Sequence, residues 1–316
     1  MGKAVRWRFC TKTSRADRVR QRTKVVLRDA GLSEKTQERY YLGVRKVLPI
    51  LLRSRDLVEL DEKVADWVQQ RWEEGDSQHQ ISDALCALHH FEPWLRGKLP
   101  LAWKLLGVWR KLESPNRAPP LVASIIHAWA MYALDHCNLE FAAMILLGFF
   151  ALLRTGECLQ VRPRDLLIGD SSGIVSLSET KSGLRHAAKE MVSFDDGITL
   201  EILKEVIAVR KQENLFHVPI WTRSAQCFRN EFAHHCSRFD LWKHRFRPYS
   251  LRRGGATALF QASGSMEEAL LKGRWQSTRK LHWWHLAPNW WHLALMQECS
   301  MLQTVEGHKS PHPSCI

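Results

Sequence analysis

Arg247-Pro248-Tyr249-Ser250-Leu251-Arg252-Arg253-Gly254-Gly255-Ala256-Thr257 is the stretch on which the reading of this chain turns. Pro248 suits the start of a helix, where its missing N–H goes unneeded. Tyr249 and Arg252 are three residues apart, so they share a face near that helix's N-terminus, where anions bind readily. Gly254 and Gly255 allow another backbone to come close.

Three other segments join it. Upstream, Ala151-Leu152-Leu153-Arg154-Thr155-Gly156-Glu157 puts an arginine at the end of an apolar helix, with Thr-Gly-Glu turning the chain into the next one. A buried arginine there needs an anion or a carboxylate, and Arg154 with Glu157 also reads as a plain structural pair. Between the two lies Thr180-Lys181-Ser182-Gly183, a lysine on a tight β-turn that can reach a phosphate, although most such turns are only solvated. Downstream, Gly273-Arg274-Trp275-Gln276-Ser277 opens a tryptophan-rich helix.

In order and spacing, these four segments resemble the tyrosine recombinase (phage-integrase-like) family. The Ser250–Thr257 and Gly273–Trp275 segments are especially like the forms found in integrases of some eukaryotic mobile elements. The resemblance is specific over 141–284 and extends weakly over 31–112, which is similar to the family's helical core-binding domain. It implies that Arg154 and Arg252 hold the non-bridging oxygens of a scissile phosphate, a task suited to forked guanidiniums. It implies that Lys181 protonates the leaving 5′-oxygen and that Trp275 donates an indole N–H to the phosphate. It implies no metal, cofactor or nucleoside triphosphate. Two positions depart from the pattern. Tyr249 stands where the family usually has His or Lys, and Trp284 stands where the nucleophilic tyrosine belongs. An indole cannot attack phosphorus, and Tyr40, Tyr41, Tyr132 and Tyr249 are the chain's only tyrosines, so none follows Arg252.

The bulk properties agree with a polyanionic partner. The 316 residues carry a formal charge of +13 with 45% hydrophobic residues, enough for a sizeable core and a positive field that favours nucleic acid first. The eight cysteines are scattered singly, with no C-x-x-C pair, which argues against a zinc site and a disulfide scaffold. His89-His90 and His234-His235 lack metal-ligand spacing and read as ordinary helix residues. No Gly-rich nucleotide loop or nucleophile elbow is present. The apolar run Phe141–Leu153 is too short for a bilayer, and the N-terminus is too polar for a signal peptide. An intracellular protein with reduced thiols is expected, nuclear if the source is eukaryotic.

Residues 1–30 read as a basic arm with ten Lys or Arg against Asp17 and Asp29. Residues 31–112 read as a bundle of short helices, with Ser33 as the first N-cap and further helices near 61–74, 77–91 and 99–112. Residues 113–121 form a proline-rich linker. Residues 122–303 read as a second domain, with helices near 122–136 and 139–153, strands near 173–178 and 187–194, and helices near 197–213, 224–239, 250–262, 266–272 and 277–303. Within the last, Trp283-Trp284-His285-Leu286-Ala287 recurs seven residues on as Trp290-Trp291-His292-Leu293-Ala294. Residues 304–316 read as a disordered tail. The expected class is mainly α with a small antiparallel sheet (α+β): a helical core-binding domain followed by a recombinase-type catalytic domain.

The expected partner is double-stranded DNA, with a homo-oligomer on DNA as an option and neither membrane nor small-molecule substrate. Besides the site, Lys35, Arg39, Ser182 and Arg253 are expected near phosphates. Three functional readings follow: DNA binding with cleavage impaired, active recombination through an unexpected or trans-supplied nucleophile, and a decayed mobile-element product.

Overall fold

The computed structural model describes residues 14–22, 31–113, 118–177 and 190–275. The chain divides into two compact units, Met1–Asn116 and Arg117–Ile316.

The first unit contains helices α1 (Arg15–Arg22), α2 (Glu34–Arg53), α3 (Leu57–Glu73), α4 (Gln78–Phe91) and α5 (Pro100–Leu112). Helix α3 starts four residues before its sequence-predicted position because Asp56 caps it, accepting from the backbone N–H groups of Val58 and Glu59 at 2.9 Å each. Ser33 does precede α2, but its hydroxyl bonds the Thr36 hydroxyl instead of a backbone N–H. Val47, Leu60, Val64, Val68, Ile81, Leu85, Leu88, Leu106 and Trp109 make the core. The buried Asp61 carboxylate accepts from the N–H groups of Leu101 and Ala102, satisfying donors that the first turn of α5 leaves open.

The second unit contains α6 (Ala123–Asp135), α7 (Leu139–Phe150), α8 (Thr155–Cys158), β1 (Leu166–Ile168), β2 (Gly173–Leu177), β3 (Glu190–Phe194), α9 (Gly197–Gln212), α10 (Ala225–Arg238), α11 (Tyr249–Ser263) and α12 (Met266–Gly273). Helix α7 is apolar all round and buried throughout Phe141–Phe149, as a central helix must be. Helices α6, α9 and α11 pack on it. The sheet is antiparallel in the order β1-β2-β3, pairing Leu166 with Val175 and Val175 with Val192. Strand β1 has only three residues, too few to show a period, and it was not predicted. Helix α1, inside the expected basic arm, was not predicted either; the fold class and the order of the other described helices follow the expectation.

Helix α7 stops earlier than predicted. It ends at Phe150, and Leu152 takes a left-handed backbone with φ of 46°. Arg154 therefore does not end the apolar helix. It stands at the N-cap of the next one, α8. Pro248 likewise occupies the N-cap of α11, with Tyr249 as the first helical residue.

The expected Trp-rich helix with its repeat, the tail, the Lys181 turn and most of the basic arm lie outside the described residues. Among the described residues, no helix is long and apolar enough to cross a membrane.

Candidate functional site: a buried arginine cluster

Helix α11 sits so deep because of its two glycines. A Cβ on Gly254 would lie 2.0 Å from the Leu121 carbonyl oxygen, and one on Gly255 would lie 1.9 Å from that of Phe149. The close approach expected of this pair is thus against the chain before α6 and against α7. It carries Arg252, two residues earlier, into the interior, where the side chain is 1% exposed.

Three guanidiniums and two carboxylates meet around Arg252. Glu157 is their hub. Its Oε1 accepts from Arg154 Nη1 at 2.5 Å, and its Oε2 accepts from the Arg154 backbone N–H at 2.8 Å and from Arg274 Nη2 at 2.6 Å. Arg252 Nη1 is 3.7 Å from Glu157 Oε2, an ion pair without a hydrogen bond. Arg274 also donates to Glu190 on β3, at 2.9 Å. Burial alone would push the Glu157 carboxyl up. The Arg274 charge, the Arg154 N–H and the Arg154 charge outweigh it and hold the carboxyl below its usual range.

Arg252 is incompletely satisfied. Its Nη2 donates to the Gly273 carbonyl, but Nε and Nη1 are buried without a hydrogen-bond partner. The Trp275 ring covers its face, with the guanidinium carbon 4.7 Å from the centroid. Burial first, and then the positive charges of Arg154 and Arg274, push its pKa down to about 10. Even so it stays protonated at neutral pH. A buried cation with two open donors, beside two more cations, is suited to a tetrahedral oxyanion. Arg154 is the most accessible of the three guanidiniums, with its side chain 34% exposed.

Of the predicted site residues, Arg154, Arg252 and Trp275 come together, and Tyr249 stands at the mouth of α11, 46% exposed and one turn before Arg252. Lys181, Ser182 and Trp284 lie outside the described residues. Arg253 donates to the Ala118 carbonyl and so also ties α11 to the chain ahead of α6. In the first unit, Lys35 is exposed near the start of α2, and Arg39 pairs with Asp83 at 3.2 Å.

Sequence reasoning gave no role to Arg274 or Glu190. Arg274 was visible inside Gly-Arg-Trp, but its left-handed backbone, with φ of 54°, turns its side chain to Glu157, and no local pattern encodes that. Among the described residues, no group of three His, Cys, Asp or Glu side chains is placed to hold a metal ion.

A cleft of about 520 Å³ elsewhere in this unit is lined by Glu140, Arg210, Thr222 and Arg223, among others. Arg210 there bonds Glu140, Glu213 and the Ile220 carbonyl.

No protein-family model and no curated protein matches the sequence. Solved structures do. The XerH site-specific recombinase bound to difH substrate aligns over 71% of this chain with a TM-score of 0.52 and 13% identity; the match spans 66%, just under two thirds, of the recombinase chain. The Tn1549 transposon integrase in complex with transposon right-end DNA aligns over 91% of this chain and 98% of its own, with a TM-score of 0.57 and 14% identity. A lambda integrase dimer bound to a core site aligns over 87% and 95%, with a TM-score of 0.54 and 13% identity. At such identities the likeness is one of fold: mostly helical with a small three-stranded antiparallel sheet, the architecture of tyrosine recombinases.

Proposed function

We propose that this chain is a duplex-DNA-binding protein of the tyrosine recombinase and integrase family, associated with DNA recombination and integration, in which strand cleavage is impaired. The observation that carries the reading is Arg252. Its Nε and Nη1 nitrogens are buried without hydrogen-bond partners beside Arg154 and Arg274, on the recombinase fold. A backbone phosphate supplies what they lack. Its non-bridging oxygens take the open donors of Arg252 and the exposed edge of Arg154, and the indole of Trp275 closes one side. Net charge adds a general attraction to the polyanion.

Impairment of cleavage rests on the sequence. A phosphotyrosyl link needs a phenol oxygen that attacks phosphorus while the 5′-oxygen leaves with a proton, from Lys181 by the resemblance. Trp284 offers no such oxygen, and of the four tyrosines only Tyr249 belongs to this cluster. Tyr249 also stands where a cation usually assists, so Trp284→Tyr alone leaves recombination incomplete.

The test is a nicked suicide duplex presented to the full chain, read both for retention and for a covalent protein–DNA adduct. Salt-sensitive retention without adduct is the expected result. An adduct would instead establish the active-enzyme reading, with Tyr249 or a partner's residue as nucleophile. Failure of the folded protein to retain any duplex would overturn the proposal in favour of a decayed mobile-element product.

A further inference from the structure

The run from Trp242 to Tyr249 lies between α10 and the arginine cluster. It begins with a single 3-10 turn, Trp242–His244, closed by Arg245 in a left-handed conformation with φ of 53°. Beyond it, exposure alternates. Arg245, Arg247 and Tyr249 are exposed, while His244, Phe246 and Pro248 are half-buried. Phe246 packs against the core and its ring meets that of His244. The alternation is therefore fixed from below, and it turns the cations outward.

Lys243, Arg245 and Arg247 are three exposed cations in five residues. Among the described residues, none of them forms an ion pair with a carboxylate. Elsewhere in this unit Arg164, Lys204 and Arg210 do so. The one acidic side chain close by in sequence, Asp240, accepts instead from the Trp242 indole at 2.9 Å. Lys243 is held over the Trp242 ring, 5.4 Å from its centroid, which braces the far end of the run. At the near end, the Arg247 N–H bonds the Ser250 hydroxyl at 3.0 Å, fixing the last cation to the first turn of α11.

We infer that Lys243, Arg245 and Arg247 form a phosphate rail, a second binding surface that holds the DNA backbone next to the phosphate received by Arg154 and Arg252. The inference rests on the proposed DNA binding and extends it to a surface outside the arginine cluster. Unpaired, outward cations on a braced backbone fit a regularly charged polyanion better than an acidic peptide, because a duplex supplies successive charges without having to fold. The contacts carry no base information, so they serve register and affinity.

The experiment measures binding of a fluorescent 30-base-pair duplex to the full chain across a salt series. The proteins are wild type, the triple variant Lys243→Gln, Arg245→Asn, Arg247→Gln, and a charge-matched control, Lys204→Ala, Lys211→Ala, Arg229→Ala. Asparagine is chosen at 245 because it tolerates the left-handed backbone. Each lost phosphate contact lowers the log–log salt slope by about 0.9, so the rail variant is expected to lose about two to three units, and the control less than about one. A conservative variant, Lys243→Arg with Arg245→Lys and Arg247→Lys, is expected to keep the wild-type slope. Equal slopes for wild type and the folded rail variant would overturn the rail and leave the arginine-cluster reading intact. No duplex binding by wild type would overturn both.

Discussion

Arg210 and Arg252 are both buried arginines of the second unit, and both lie among carboxylates, yet they are provisioned in opposite ways. Arg210 faces Glu140 and Glu213 and also reaches the Ile220 carbonyl, and Glu140 in turn accepts from the Thr222 hydroxyl. Around Arg252 three guanidiniums share Glu157 and Glu190, and two of its own N–H groups go unfilled. One cluster is closed by the fold. The other holds a positive excess and open donors that the fold leaves for something else. Burial of a charge is therefore no sign of function in itself; what sets Arg252 apart is open donor capacity beside two further cations.

The largest effects bear on how Arg252 reaches its depth. Gly254→Ala drives a methyl group into the Leu121 carbonyl and is expected to cost about 3 kcal/mol or more, read as a lower urea midpoint. Little loss would mean that α11 does not need this close approach.

Next comes the contrast itself. Arg210→Met strands Glu140 and is expected to cost about 2–3 kcal/mol, at the low end for a broken buried pair because Glu140 keeps some solvent contact. Arg252→Met relieves repulsion among three cations and is expected to be neutral or slightly stabilising in the same urea titration. If Arg252→Met proved the more destabilising, the distinction between the two clusters would collapse.

Acid probes the Arg252 cluster directly. The Glu157 carboxyl is held below its usual range, so the stability it adds is complete above its unfolded pKa of about 4.3 and is lost as pH falls below that toward its folded value. Thermal melts below about pH 4.5 should show this loss in wild type, and it should be smaller in Glu157→Gln. A loss equally steep in both would assign the acid sensitivity elsewhere.

The smallest effect lies at milder pH. His235 on α10 is buried, its Nδ1 bonded to the Glu231 carbonyl and its Nε2 without a partner beside Trp129, Tyr132 and Phe141. Burial first, then His234 and His136, lower its pKa against the pull of Glu231. Folding favours the neutral ring, so the unfolded chain binds more protons and stability falls as pH drops below about 6.5. His235→Phe should flatten the melting temperature between about pH 6.5 and 5. An unchanged profile would show that this ring does not titrate on unfolding.

The sequence announced the cluster more clearly than it announced the frame around it. Arg154 and Arg252 stood out because an arginine beside an apolar helix and another three residues into a helix ask for an anion. The paired glycines signalled a close contact, although only the fold reveals that Leu121 and Phe149 make it. Helices α9 and α10 lie within a residue of the ranges read from the sequence. Strand β1 was not legible in three residues, nor was the early end of α7, because the apolar run continues through Leu152 and Leu153 after the helix has stopped. Arg274 escaped for a different reason. Its partners Glu157 and Glu190 lie 117 and 84 residues away, a pairing that only tertiary structure creates.

The central claim is that the open N–H groups of Arg252 receive a DNA phosphate. The direct measurement is duplex affinity of wild type, Arg252→Met and Arg210→Met between about 50 and 200 mM salt, corrected for the folded fraction. The account predicts at least about a tenfold weaker affinity and a shallower salt slope for Arg252→Met, with Arg210→Met matching wild type. Equal affinity and slope for wild type and Arg252→Met would contradict it.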